Sequence, residues 1–286
     1  MSQPTRNWAD RRLPVVVAYL LLAVALVAAG LVLDRSLRQG SRRRAGAELD
    51  AVASLKVSAV VAWRDGKLGD AAYAAGYPVV EKVVRAAAAG RLDPELAAHA
   101  TEVLAHLGAL RGFARVALVG ADARPLLEWR AEGQSDRPFD RPLLEWALRS
   151  GGAGATDLVD APGADLPWLE AAVPVRLDGV PPAVLVARWD SAAFFEAVLA
   201  SWPVPSETGG AGLMRVEGDH VRIVAPPRQL GGRASVEVPL SELDRVASRA
   251  ARGQVGVLEG KDAQGVPMLA AVRPVPGTGW LVRTRA

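Results

Sequence analysis

Half of the 286 side chains are apolar, which is ample material for one large or two ordinary buried cores and excludes a disordered chain. The absence of cysteine excludes disulfide frameworks, thiolate catalysis and cysteine-ligated zinc. The net charge is +3, and although 34 residues are basic, no nucleic-acid-binding motif accompanies them. The densest basic run, residues 42–44, flanks an apolar segment, so we expect no nucleic-acid partner.

The first predicted element is a transmembrane helix over residues 13–33. This stretch, LPVVVAYLLLAVALVAAGLVL, has 21 residues without a charge, and a helix of that length spans a hydrocarbon layer of about 30 Å. A cleaved signal peptide is the alternative, because Arg11 and Arg12 precede the run and small residues occur at 27–29. The anchor is favoured, since the run is longer than the usual signal-peptide core of about 7–15 residues.

The charges that flank this segment bear on its orientation. Three arginines precede it, at positions 6, 11 and 12, and five follow it, at positions 35, 38, 42, 43 and 44. The positive-inside rule alone would therefore place the rest of the chain in the cytoplasm.

Residues 34–112 are predicted to form a helical stalk. Leu49, Val52, Val60 and Trp63 have spacings that fit one helix face. A further helix begins after residue 93, where an aspartate precedes a proline and a glutamate, and it ends at a glycine at position 112.

Residues 113–190 are predicted to form a first module of strands around one short helix. Asp140 is placed to cap this helix, and Asp178 and Gly179 favour a hairpin between the last two strands. The strands in chain order are ARVALVG, PLLEWR, ATDLVD, WLEAAVPVRL and PAVLVARW.

Residues 191–286 are predicted to repeat the same order of elements as a second module, after a helix over residues 191–200. Ser241 to Asp244 matches a capping box that would open a helix ending at Arg252. The strands are GLMRVEG and HVRIVA before this helix and VGVLEG, PMLAAVRP and GWLVRT after it. The fold class is therefore α+β, with two antiparallel sheets, each carrying a helix on one face.

Three segments resemble the double Cache (dCache) family of bacterial extracytoplasmic sensors, which consist of two PAS-like modules on a long N-terminal helix. The segments are AELDAVASLKVSAVVAWRDGKLGDA, WPVPSET and GVPMLAAVRPVPGTGWLVRTR, of which the last is the most specific. The resemblance implies that residues 34–286 face outward and that residues 1–12 are cytoplasmic, which outweighs the arginine count. The first module would then be membrane-distal and the second membrane-proximal, in a single-pass protein of the inner membrane.

The resemblance also implies a second transmembrane helix and a cytoplasmic kinase, cyclase or chemotaxis output after the closing strand. The sequence ends at Ala286 without them. We therefore expect either a piece of a longer protein or a sensor that acts through a separate signalling protein. Pairing of two stalk helices into a homodimer is a further expectation from the resemblance.

In dCache sensors the distal module usually holds the ligand, so the resemblance directs attention to Trp129, Trp146 and Trp168 of the first module. An indole floor with Asp157 nearby would suit a small organic cation or a heterocycle. Plain core packing of these indoles is the alternative. The residues that mark amino-acid-binding members are not recognisable, so that ligand class is not carried over.

No catalytic constellation, metal-ligand spacing or phosphate-binding loop occurs in the sequence, so we expect no enzyme activity, no metal and no cofactor. The favoured function is a membrane-anchored sensor for a small ligand, in which binding to the first module shifts the stalk helix. The alternative is a membrane-tethered scaffold or interaction protein whose modules have lost their ligand.

Overall fold

The computed structural model describes residues 8–134, 136–150, 154–159, 168–202, 209–224 and 235–285. Side chains are described from Leu21 onward within these ranges, except at residues 23–25 and 155. The chain comprises two compact units, Met1–Glu48 and Leu49–Ala286.

Three helices occupy the N-terminal part of the chain: α1 (Trp8–Ala75), α2 (Pro78–Ala88) and α3 (Pro94–Arg111). In the ranges whose side chains are described, no helix carries an apolar stretch long enough to cross a membrane. Most of the predicted transmembrane segment, namely residues 13–20 and 23–25, lies outside those side chains, and residues 1–7 of the predicted cytoplasmic tail lie outside the described chain.

The ends of α3 confirm the helix signals read from the sequence. The side chain of Asp93 accepts a hydrogen bond from the backbone N–H of Leu96 at 2.9 Å, which satisfies one of the free donors of the first turn. Gly112 follows the last turn with φ +70°, a left-handed conformation in which glycine avoids the strain of a side chain.

The first module contains a five-stranded antiparallel sheet with the order β2-β1-β5-β4-β3. The helix α4 (Arg141–Arg149) is capped by Asp140, which accepts a hydrogen bond from Leu143 N. The strands are β1 (Arg115–Val119), β2 (Pro125–Arg130), β3 (Ala155–Val159), β4 (Trp168–Val175) and β5 (Ala183–Trp189).

The two faces of this sheet have different neighbours, because successive side chains of a strand point to opposite faces. Ala117 and Val119 of β1 pack with Leu143 and Ala147 of α4. The alternate residues of β1, including Val116, belong to the large core that also contains apolar residues of α1, α2 and α3. We refer to the side covered by α4 as the α4 face of the sheet.

The second module contains a six-stranded antiparallel sheet with the order β8-β7-β6-β11-β10-β9. The helix α5 (Ala192–Ala200) precedes this sheet, and α6 (Val246–Ala251) packs on one of its faces around Met214, Val246 and Val272. The strands are β6 (Gly210–Glu217), β7 (His220–Val224), β8 (Ser235–Pro239), β9 (Gly256–Lys261), β10 (Pro267–Pro274) and β11 (Trp280–Arg285).

The second module departs from the sequence prediction at two points. β8 is an additional edge strand that pairs with β7. The helix α6 begins at Val246 and not at the predicted capping box, which was wrong. The backbone of Asp244 and Arg245 is held elsewhere, since Lys261 N donates to Asp244 O at 2.9 Å and Arg245 forms a bridge with Lys261. Arg245 Nη1 also donates to the carbonyl of Asp262, 17 residues away along the chain, and these contacts together override the local helix signal.

Candidate functional site

Three charged residues are buried within strands of the first module. Arg115 of β1 is 7% exposed, Glu170 of β4 is 0% exposed and Arg188 of β5 is 2% exposed. Arg115 lies opposite Arg188 and Glu170 lies opposite Arg188 in the strand register. Because directly opposed residues share a face, all three side chains lie on the α4 face. We call these three residues the charged cluster.

Glu170 and Arg188 form a buried ion pair in the charged cluster. The Nε of Arg188 donates to Oε1 of Glu170 at 2.7 Å, and its Nη2 lies 2.5 Å from the same oxygen. The backbone N–H of Asp140 donates to the other carboxylate oxygen at 2.7 Å. Burial raises the pKa of Glu170 above its usual value, and the Arg188 guanidinium opposes that rise. The buried pair is therefore stable only while all of these hydrogen bonds are present, because the loss of one would leave a buried charge unsatisfied.

The segment 136–140, which leads into α4, covers the charged cluster. Arg188 donates to the carbonyls of Arg137 and Pro138 at 3.0 and 2.9 Å. Arg115 donates to the carbonyl of Asp136 at 3.2 Å and also to that of Arg137.

The ring of Phe139 lies close to both guanidinium groups, with its centroid 4.5 Å from the Arg115 carbon and 5.0 Å from the Arg188 carbon. Such cation–π contacts stabilise a desolvated guanidinium. The loop thus holds both arginines in fixed orientations on the α4 face.

A cleft of about 490 Å³ opens beside the charged cluster, on the α4 face of β1 and β2. Its volume falls in the range that holds small organic ligands. Apolar groups of the sheet, of α4 and of Phe139 form part of its wall. The charged side chains that line it are Arg115, Asp122, Glu128, Asp136, Arg141 and Glu145. Carboxylates outnumber guanidinium groups, so the cleft favours a ligand that carries a positive group.

Arg115 connects the cleft with the charged cluster. Its Nε donates to Oε1 of Glu128 at 2.9 Å, and the side chain of Glu128 is 34% exposed toward solvent. On α4, Glu145 accepts from Arg141 at 2.9 Å, and this hydrogen bond lowers the pKa of Glu145. Glu145 is therefore held in the ionised form that pairs with an ammonium group.

Two of the predicted site residues, Trp168 and Asp157, lie on the same face as the charged cluster. The Arg188 guanidinium carbon is 4.6 Å from the ring centroid of Trp168, whose side chain is buried. Asp157 of β3 lies opposite Glu170 in the register. Burial raises the pKa of Asp157 above its usual value, while a hydrogen bond from Leu158 N opposes the rise.

The structure does not bring the other two predicted residues to this group. Trp129 of β2 lies opposite Val116, on the face away from α4, and its indole packs against Gly108 of α3. Trp146 of α4 is 41% exposed. The four predicted residues therefore do not form one indole-lined site.

Sequence reasoning missed Arg115, Glu170 and Arg188. A signal was present, because each is a single charged residue in a short strand that is otherwise almost wholly apolar. Charged residues are almost never fully buried unless they are paired. A charge inside an apolar strand thus indicates a paired buried group, although the sequence does not say which residue is its partner.

The described residues contain no group of three or more histidine, aspartate and glutamate side chains arranged to hold a metal ion.

Comparison with known proteins gives matches among solved structures. No protein-family model matches the sequence, and no curated protein matches it. The ligand-binding domain of the Campylobacter jejuni chemoreceptor Tlp3, in complex with L-norvaline, is 12% identical and has a TM-score of 0.60, with 87% of this chain and 92% of that chain covered.

Two further solved structures are similar. The ligand-binding domain of the Pseudomonas aeruginosa PAO1 amino acid chemoreceptor PctC, in complex with GABA, is 20% identical, with a TM-score of 0.55 and coverage of 86% of this chain and 99% of that one. The extracellular domain of rpHK1S-Z16, described as a histidine kinase, is 12% identical, with a TM-score of 0.55 and coverage of 85% and 94%.

The names of these neighbours describe them as ligand-binding domains of chemoreceptors or as the extracellular domain of a histidine kinase. The resemblance to dCache sensor domains is confirmed at the level of the fold. The chain has the fold of the ligand-binding domains of bacterial chemoreceptors.

Proposed function

We propose that this chain is the extracytoplasmic sensor part of a bacterial signal-transduction protein and that its first module binds a small organic ligand. The observation that carries the proposal is the cleft of about 490 Å³ beside the charged cluster, in a fold shared with chemoreceptor ligand-binding domains. The cleft combines an apolar wall with a few convergent charges, which is the usual composition of a small-molecule site.

The ligand proposed is a small organic ammonium compound, zwitterions included. Glu128 and Glu145 supply carboxylates for the ammonium group, and Arg115 supplies a guanidinium for a carboxylate, if the ligand has one. The similar domains with bound L-norvaline and GABA support a zwitterion as the first compound to test. Trp168 and Asp157 lie on the same face of the sheet but do not line the cleft, and neither do Trp129 and Trp146.

Movement of α1 is the proposed output. Within the unit Leu49–Ala286, α1 contacts both modules: the Nζ of Lys67 lies 5.6 Å from the ring centroid of Trp189 in β5, and Arg64 donates to the carbonyl of Pro276 at 2.6 Å. Lys56 donates to Ser201 O at 2.6 Å, at the C-terminal end of α5, where a cation is favourable. A ligand that favours one position of α1 by about 1.4 kcal/mol would shift the equilibrium tenfold.

Anchoring of α1 in the inner membrane belongs to the same proposal, with residues 34–286 outside. It is supported by the uncharged segment 13–33 and by the large apolar side chains that α1 exposes there. Exposed apolar surface of this extent is unfavourable in water. The side chains concerned are Leu21, Leu22, Leu26, Val27, Leu31, Val32 and Leu33. The orientation is tested by fusing after residue 286 either a reporter that is active only in the periplasm or one that is active only in the cytosol. Activity of the periplasmic reporter is expected, and activity of the cytosolic reporter alone would contradict the proposed orientation.

Pairing of two copies through α1 and coupling to an output, either in a longer protein or in a separate chain, complete the proposal. Cysteine substitution at exposed Leu55 of α1 tests the pairing, because the chain has no other cysteine. Disulfide-linked dimers at this position, but not at exposed Tyr73, would support a defined helix pair.

The ligand proposal is tested by measuring the unfolding temperature of the chain with amino acids and small amines. A ligand present at a hundredfold excess over its Kd adds about 2.7 kcal/mol of stability. Glu128→Gln, which removes a carboxylate of the cleft, should weaken the binding of the active compound at least about tenfold. Glu132→Gln is the matched control, because Glu132 is exposed and does not line the cleft.

One observation favours the scaffold alternative: the arginines of the charged cluster are already bound by carbonyls of the chain's own segment 136–138. A scaffold with such a filled site would show no response to any amine or amino acid. Equal responses of Glu128→Gln and Glu132→Gln would instead place the ligand outside the cleft.

A further inference from the structure

Arg283 is a fully buried arginine in the middle of the second sheet. It belongs to β11, which lies between β6 and β10. Its exposure is 1%. In the register it lies opposite Val272 of β10, which packs with α6, so its side chain is on the α6 face of the sheet.

Two of the three nitrogens of the Arg283 guanidinium have no hydrogen-bond acceptor in the part of the chain that the structure describes. These are Nε and Nη2, both of which are buried. Among the described residues, Asp262 is the acid whose charge acts on Arg283. Asp262 is already engaged, because Oδ2 accepts from Arg285 Nη1 at 2.9 Å and Oδ1 accepts from two backbone N–H groups of its own turn, each at 2.9 Å.

Within the described ranges, Arg283 is therefore a buried positive charge without a carboxylate of its own. Burial lowers the pKa of Arg283 to about 10, so the group still carries its charge at neutral pH. A buried charge without a partner costs several kcal/mol, and native proteins normally pair or neutralise such groups. A bound anion would remove this cost.

The residues of β6 and β10 that adjoin Arg283 on this face are small or apolar. Gly212 of β6 lies directly opposite Arg283, and Gly210 lies opposite Arg285, so β6 places no side chain beside the guanidinium on this face. The neighbouring residues of β6 and β10 on the face also include the apolar Met214 and Val272, while Arg285 lies two positions along β11 on the same face. Glycine in a strand interior often marks a point where a ligand or another backbone approaches closely.

We propose that Arg283 is the centre of an anion-binding site in the second module, separate from the cleft of the first, and that the anion is the carboxylate of a small aliphatic acid. A carboxylate matches the planar fork of the guanidinium with two parallel hydrogen bonds. Its single charge matches the single charge of Arg283, which favours it over a phosphate dianion. The apolar side chains nearby suit a short hydrocarbon tail.

The test uses the purified full chain and sodium propionate as the probe, with sodium chloride at equal ionic strength and neutral propionamide as reference solutes. Propionate at a hundredfold excess over its Kd should raise the unfolding temperature by about 5 °C, whereas propionamide should not. Arg283→Met should abolish this rise. Arg130→Met is the matched control, since Arg130 is an exposed strand arginine of the first module.

A second variant, Gly212→Val, keeps the charge and places a side chain opposite Arg283, where it would compete with a bound anion, so it should also abolish the rise. If Arg283→Met fails to fold, this variant still shows whether the response to propionate depends on the site at Arg283. Glu128→Gln of the first-module cleft should keep the full response to propionate, which makes this site independent of the proposed sensor site. The proposal is overturned if wild type responds equally to chloride, if Gly212→Val still responds, or if inorganic phosphate stabilises the chain and propionate does not.

Discussion

Asp50 of α1 and Arg273 of β10 form a two-bond ion pair that joins residues 223 positions apart. The Nε and Nη2 atoms of Arg273 donate to the two carboxylate oxygens at 2.8 and 2.6 Å. Nearby, the hydroxyl of Thr284 donates to the carbonyl of Leu49 at 2.8 Å. Polar contacts at Leu49 and Asp50 thus attach α1 to the second sheet, at the point where the unit Leu49–Ala286 begins.

The pair between Asp50 and Arg273 should give a measurable but small coupling energy. Both side chains are about a third or more exposed, so solvent screening limits the coupling to about 1 kcal/mol or less. A double-mutant cycle with Asp50→Asn and Arg273→Met, followed by urea unfolding, measures it. The coupling should fall at high salt. Glu81 and Arg85, an exposed pair within α2, provide the control cycle, and a coupling there as large as that of Asp50 and Arg273 would contradict the role of the two-bond geometry.

Gly108→Ala should destabilise the chain although alanine favours helix. A Cβ atom at Gly108 would lie 2.2 Å from the indole of Trp129, so the rigid ring or α3 must move. Overpacking of this kind costs about 1–3 kcal/mol. Gly66→Ala is the matched control, because a Cβ atom at Gly66 would meet no atom within 4 Å. This variant should raise the free energy of unfolding by about 0.5–1 kcal/mol. In the Gly108→Ala background, the further change Trp129→Leu should recover part of the lost stability, because the smaller side chain makes room for the added Cβ. A Gly108→Ala variant that is as stable as Gly66→Ala would refute the packing described.

Glu170→Gln should lower the free energy of unfolding by about 3–5 kcal/mol, because it leaves the charge of Arg188 buried without its carboxylate. The comparison is with Glu102→Gln on the exposed side of α3, which should change stability by less than about 0.5 kcal/mol. Replacing both members, as in Glu170→Leu with Arg188→Met, should cost less than Glu170→Gln alone. Chemical denaturation of the three variants measures these differences, and a tolerant Glu170→Gln would show that the pair is not needed for folding.

Asp157→Asn should change the pH dependence of stability. Burial raises the pKa of Asp157, so the folded chain binds this proton more tightly than the unfolded chain does. The contribution of Asp157 to stability therefore falls as the pH rises from the usual aspartate pKa through the raised value, and it is constant above that. The variant should gain stability relative to wild type across this window and keep the gain at neutral pH.

Urea unfolding of wild type and Asp157→Asn at a series of pH values measures the difference. Asp122→Asn, at an exposed turn, controls for the exchange of a carboxylate for an amide. A gain for Asp157→Asn that appears on acidification would have the opposite sign and would mean that the carboxylate is stabilised in the folded chain.

Local sequence signals predicted much of the fold. The caps at Asp93 and Asp140, and the hairpin at Gly179, with φ +71°, depend on neighbouring residues alone, and the structure has each of them. The predicted start of α6 was wrong because Lys261, which is distant in the sequence, binds the backbone of Asp244. Tertiary contacts of this kind have no local signature.

The candidate site was predicted less well than the fold. The tryptophans of the first module led to the prediction of Trp129 and Trp146 as site residues. The face of the sheet on which a side chain lies, however, depends on the register of each strand and on the helix that covers that face. Arg188 becomes important only when its partner Glu170 is brought beside it by the pairing of β4 with β5. The sequence contains the charges, and the pairing of strands makes them a cluster.

The strand order has a consequence for synthesis on the ribosome. In each sheet the strand made last, β5 or β11, occupies an interior position and joins strands made earlier. Until β11 emerges, β6 and β10 each lack a neighbour on one side, and their pairing must wait for distant chain segments. The module made first can close as soon as β5 is available, so the nascent protein acquires its sheets one after the other, and the later one is for a time exposed to misassembly or to chaperones.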